Sequence, residues 1–175
     1  MDKFNLISTI LQEHSKAQCN KIIEWVGDDQ KRFDELFKFF LNGEYRVAQR
    51  AAWPVSYCVE RHPKLIKKHF GSLIKNLRKT GIHNAIKRNT LHILQEIELP
   101  EKFQGEVMDL CFQYVESPTE AVAIKAYALT VLGNFAKLYP DILPEIKLLI
   151  EERLPNQTAA FKSRAKHLLK SFEKL

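Results

Sequence analysis

Val47-Ala48-Gln49-Arg50-Ala51, Ala85-Ile86-Lys87-Arg88-Asn89, Val122-Ala123-Ile124-Lys125-Ala126 and Phe161-Lys162-Ser163-Arg164-Ala165 repeat one pattern: an apolar residue, then a basic one three places on. Their basic residues stand 38, 37 and 39 positions apart. Gly43, Gly81, Pro118 and Asn156 lie ahead of them at steps of 38, 37 and 38, and Pro63, Pro100 and Pro140 follow at steps of 37 and 40. Three independent landmarks sharing one period in 175 residues predict one supersecondary unit used repeatedly, each copy burying its apolar side against the next. Ala51, Ala126 and Ala165 close three of the four elements, and a short side chain there lets neighbouring helices approach to roughly 8–10 Å. Asn89 is the exception.

The segments around these elements read as helices. Apolar residues recur every three or four positions almost throughout, and no stretch alternates with period two between hairpin turns. From Pro63 to Lys79, for example, Leu65, Ile66, Phe70, Leu73, Ile74 and Leu77 share one side, while Lys64, Lys67, Lys68, Lys75, Arg78 and Lys79 project from the other. The predicted helices are 2–13, 16–26, 29–41, 45–61, 63–79, 83–97, 101–116, 119–138, 141–153 and 158–173. Pro63, Pro100 and Pro140 fall in first turns, Gly43 and Gly81 in short connections, and Pro54 inside 45–61, where a kink is expected near Ala51–Pro54.

The period, the hairpins and the V-x-x-[RK]-A element resemble the HEAT-like family of α-solenoids over residues 29–175. That resemblance implies one all-α domain over 1–175, a right-handed solenoid of about four hairpins at roughly 29–61, 62–98, 99–139 and 140–175, capped by residues 1–28. The common HEAT pattern sets an Arg directly after the Val; here those places hold Ala48, Ile86, Ala123 and Lys162.

Composition narrows the function. With 45% hydrophobic and 27% charged residues the chain is of globular type, and its apolar runs are far shorter than a membrane helix needs. Its N-terminal residues carry no basic leader, so an intracellular, cytoplasmic protein is expected. Cys19, Cys58 and Cys111 are far apart and form no C-x-x-C pair, which suits a reducing compartment and speaks against zinc. No phosphate-binding loop, dinucleotide fingerprint, H-E-x-x-H or nucleophile elbow is present, and no cofactor or metal is implied. His62 and His69, seven apart, lack a third ligand. DNA glycosylases for alkylated purines are HEAT-like and use a Trp, an Asp and an Arg in a groove; here Trp53 follows Arg50, but no Asp lies between Glu44 and Asp109. Trp53 and Trp25 are expected to be core or kink-packing aromatics.

Charge placement is uneven. Residues 61–95 hold nine Lys or Arg and no carboxylate, whereas residues 96–121 hold seven carboxylates and one Lys; the whole chain carries +6. Two basic features follow. Lys64, Lys67, Lys68 and Lys75 form an outer patch, and Arg50, Arg88, Lys125 and Arg164 form a column on the second helix of each hairpin. The competing expectation is that the lysines are a solvated face and that each column residue pairs with a carboxylate or with carbonyls ending an adjacent helix. The expected function is a non-enzymatic protein-binding or scaffold module that takes an acidic surface or peptide in its groove, with nucleic-acid binding as the alternative and a glycosylase third.

Overall fold

The structure, a computed structural model, describes residues 4–172, with the side chain of Asn156 outside the description. The first residues of the predicted helix 2–13 and the last of 158–173 lie outside the described residues. The described part is helical, with no strand: α1 Leu6–Gln12, α2 Lys16–Val26, α3 Gln30–Asn42, α4 Tyr45–Arg61, α5 Phe70–Leu77, α6 Asn84–Glu96, α7 Glu101–Glu116, α8 Val122–Leu138, α9 Leu143–Arg153 and α10 Ala159–Phe172. They gather into two compact units, one ending at Glu96 and the other beginning at Ile97.

In the N-terminal unit each early helix starts on a side-chain cap. Asn5 accepts from the Ser8 amide, Ser15 from the Gln18 amide, and Asp29 from the amides of Lys31 and Arg32. Helix α3 then buries Phe33, Leu36, Phe37 and Phe40, each worth roughly 1.5–3 kcal/mol of burial, and packs along α4. The turn between them needs Gly43, since a Cβ there would collide with the Phe39 carbonyl and crowd Val47. Helix α4 continues through Pro54 and is flanked by α2 and α1 on one side and by α6 on the other. In the α4–α6 seam, Ser56 Oγ lies 3.0 Å from Asn89 Oδ1. The Asn89 amide nitrogen also donates to the Ala85 carbonyl at 2.7 Å. This explains the polar exception in the repeat: Asn89 is buried but hydrogen-bonded.

The predicted helix over 63–79 is corrected to two pieces. Pro63–His69 is a 3₁₀ helix and only Phe70–Leu77 is α-helical. The 3₁₀ segment is held against α3 by one carboxylate: Asp34 meets Lys68 Nζ at 2.5 Å and His69 Nε2 at 2.7 Å. Gln30 Nε2 donates both to Asp34 and to the Leu65 carbonyl, each at 3.0 Å. The His69 ring also rests on Phe37, 4.4 Å between centroids. These contacts come from a different helix, so the local period of 63–79 could not reveal them.

The C-terminal unit is built from α7 against α8 and α10 against α8, with α9 beside α7 and α10. Gly133 marks the close approach of α8 to α10, since a Cβ there would meet Leu168 Cδ1. Helices α4 and α8 have the same length, 17 residues, and start at Tyr45 and Val122, 77 positions apart. The same step carries the buried Val47, Ala48, Ala51, Ala52, Val55, Cys58 and Val59 onto the buried Ile124, Lys125, Ala128, Leu129, Leu132, Phe135 and Ala136. The repeat is therefore real, but its register in α8 lies two residues later than the aligned pentapeptides suggest. Ala51 and Ala165 are buried as expected; Ala126 is only half-buried, and Ala128 fills the corresponding packing position.

Candidate functional site

One face of α4 is assembled by spacing alone. Arg46, Arg50, Trp53, Tyr57 and Arg61 follow one another at steps of four, three, four and four residues, so they form a stripe along the helix away from buried Val47, Ala51, Val55 and Cys58. The stripe sets two rings, Trp53 and Tyr57, between Arg46 and Arg50 at one end and Arg61 at the other. Helix α6 continues it sideways through His92, whose ring meets Tyr57 edge-on at 5.8 Å and whose Nε2 is 4.0 Å from Glu60 Oε2. Arg88, exposed, stands one turn before His92 on α6. On the other flank the exposed His14, in the α1–α2 connection, meets Trp53 at 5.7 Å. His14, Trp53, Tyr57 and His92 thus make a row of rings across the N-terminal unit, with the Trp53–Tyr57 step at 6.3 Å.

Of the two alternatives expected for the tryptophans, core or kink-packing, the core one is corrected: Trp53, directly before Pro54, is half-buried in this row, and Trp25 is half-buried too, stacked on Phe4 at 4.7 Å with Arg32 5.6 Å from its ring centre. The signal that could have found the row is the i, i+4 pairing of Trp53 with Tyr57 directly after Arg46 and Arg50.

The four column residues have three different fates. Arg50 is half-buried and turns one guanidinium nitrogen to the end of α1, donating to the Leu11 carbonyl at 2.7 Å and to that of Ile10 at 3.3 Å. It satisfies carbonyls that have no partner within their own helix and places its positive charge at the negative end of that helix. Arg88 is exposed. Arg164, also exposed, donates to Thr130 Oγ1 at 3.1 Å, joining α10 to α8. Lys125 is corrected: only 4% exposed, it is packed into the C-terminal unit at the place equivalent to Ala48, and Tyr127 occupies the place equivalent to Arg50. An unbroken basic column of four is therefore absent. In the outer patch Lys64, Lys67, Lys68 and Lys75 are all exposed, and Lys68 is committed to Asp34. Lys64 and Lys67 lie three apart in a 3₁₀ helix, where such residues eclipse one another.

No group of three or more metal-ligating side chains occurs among the described residues. The thiols are inert by burial, which pushes Cys19 and Cys58 up to about 12 and Cys111 higher still.

A family model described as a HEAT repeat domain matches residues 6–172. The chain belongs to the HEAT repeat family. The match spans both HEAT units and includes the helices of residues 6–26, expected from sequence to be a cap only weakly like the repeat. HEAT repeats generally mediate protein–protein interaction or scaffolding. No curated protein and no solved structure matches the chain. Among the described residues of this HEAT chain, no helix is long and apolar enough to cross a membrane.

Proposed function

We propose that the chain is a non-enzymatic binding module, one of about four right-handed HEAT-like hairpins, whose site for a protein partner is the face of α4 and α6. The observation that carries this is the adjacent pair Trp53 and Tyr57 flanked by Arg46, Arg50 and Arg61 on one stripe, with Arg88 and His92 beside it. Trp, Tyr and Arg are the residues that most often dominate interface energetics, since they combine large contact area with directional donors. Three free, buried cysteines are in keeping with a reducing compartment such as the cytoplasm.

The test is affinity capture from the native extract with the full chain, alongside Arg46→Glu/Arg88→Glu. Both residues are exposed, so the fold should survive the reversal. A stoichiometric, nuclease-resistant protein that is recovered by the native chain and lost with the variant is expected. Equal recovery by both overturns the assignment of the face.

The second reading, phosphate-backbone binding, draws support from the exposed Lys64, Lys67 and Lys75. It requires affinity for a nucleic acid that falls with log salt, with a slope smaller by roughly one unit for each phosphate contact removed. A salt-independent partner excludes it.

A further inference from the structure

We infer that the occupant of the α4–α6 face is an extended, acidic, amphipathic peptide segment, carboxylates alternating with apolar side chains. The inference rests on the proposed binding function and names the chemistry that function requires.

Charge gives the first half. Arg46, Arg50, Arg61 and Arg88 stand against Glu60 on the face and Glu13 at its edge, so the face has an excess of positive charge and of planar donor groups suited to carboxylates. Apolar exposure gives the second. Ile7 and Leu11, one turn apart on α1, are 41% and 44% exposed, and Tyr57 is 37% exposed. Leu11 adjoins the cationic stripe, because its own carbonyl is held by Arg50. A purely charged ligand would leave this apolar surface wet.

The geometry of the rings favours a peptide over a nucleic acid. The rings of the row meet edge-to-face, with interplanar angles of 60°, 63° and 65°, so each step between neighbours is already filled and no base can enter between them. Helix α4 is about 25 Å long, a distance that about eight extended residues span.

The experiment is selection of displayed random peptides on the full native chain, followed by titration of the recovered peptides, polyglutamate of equal length and oligodeoxythymidylate by fluorescence anisotropy. Recovered sequences should carry net negative charge with alternating apolar residues, and should bind at least tenfold more tightly than polyglutamate and than the oligonucleotide. Arg46→Glu/Arg88→Glu and Trp53→Ala should each weaken binding tenfold or more. Because Trp53 is half-buried, Trp53→Phe and the melting temperature of each variant separate lost contacts from lost fold. Enrichment without acidic residues, polyglutamate binding as well as the peptides, tighter binding of the oligonucleotide, unchanged affinity in folded variants, or no enrichment overturns the inference. If native capture of a protein is abolished by the arginine reversals while selection yields no acidic consensus, the binding function stands and the ligand class falls; capture indifferent to the reversals removes both.

Discussion

Ser56 Oγ and Asn89 Oδ1 lie 3.0 Å apart in a seam where both side chains are buried. A buried polar pair of this kind favours one sliding register of two helices, because any other register leaves the Asn89 Oδ1 acceptor without the Ser56 hydroxyl, even though Ser56 Oγ keeps the Trp53 carbonyl and the Asn89 amide nitrogen that of Ala85. Asn89→Ala is expected to destabilise the chain by about 1–3 kcal/mol, and Ser56→Ala/Asn89→Ala by less than the sum of the single changes. Urea unfolding of the four members of the cycle measures the difference. Strict additivity would show that the pair is not coupled.

Removing the Arg50 guanidinium takes away the donor that closes α1. Arg50→Met, which keeps most of the apolar stem, should accelerate amide hydrogen exchange in α1 at least tenfold. The melting temperature should fall by no more than a few degrees, since roughly 1 kcal/mol is at stake in a chain of this size. Exchange confined to its native rate would mean that the Leu11 and Ile10 contacts hold nothing in place.

Acid should unlock the 3₁₀ segment through Asp34. Desolvation raises that carboxyl, but hydrogen bonds from Lys68, Gln30 and His69 outweigh it and the group lies below its ordinary 3.8. A folded value below the unfolded one contributes stability above the unfolded value and loses it as pH falls through the folded one. The melting-temperature gap between the native chain and Asp34→Asn should therefore be largest at neutral pH and shrink below about pH 4. A gap independent of pH contradicts this.

Cys19, Cys58 and Cys111 should resist alkylation by iodoacetamide at pH 8 while the chain is folded, and all three should react in guanidinium chloride, as counted by mass spectrometry. Rapid labelling of the native protein would place at least one thiol outside its packed position.

Lys125→Met should leave every binding measurement unchanged and should hold or raise stability by up to about 1 kcal/mol, since a buried amine is replaced by an apolar side chain of similar length. Loss of partner binding on this change alone would restore Lys125 to the site.

Helix content, the position of most turns and the repeat were legible because each is written in local spacing; α4 and α7 match the predicted 45–61 and 101–116 residue for residue. What spacing could not give was register between distant segments. Val122 resembles Val47 as a letter, yet it is Ile124 that fills the equivalent buried place, and the two-residue slip carried Lys125 from solvent into the core. The break in 63–79 was hidden for a related reason: Asp34, in another helix, holds the 3₁₀ turns. Of the candidate site, Arg50 and Arg88 were visible through recurrence. The ring row was not, because two of its members, His14 and His92, are joined to Trp53 and Tyr57 only by the packing of three separate segments.

Trp53, set between two exposed neighbours at the centre of the row, gives the molecule an optical reporter of its own. The other tryptophan, Trp25, lies against Phe4 and Arg32 and is not part of the row, whereas the emission of Trp53 follows whatever displaces water from the face. Trp25→Phe leaves a single indole, whose spectral maximum and quenching by iodide report occupancy directly in unlabelled protein.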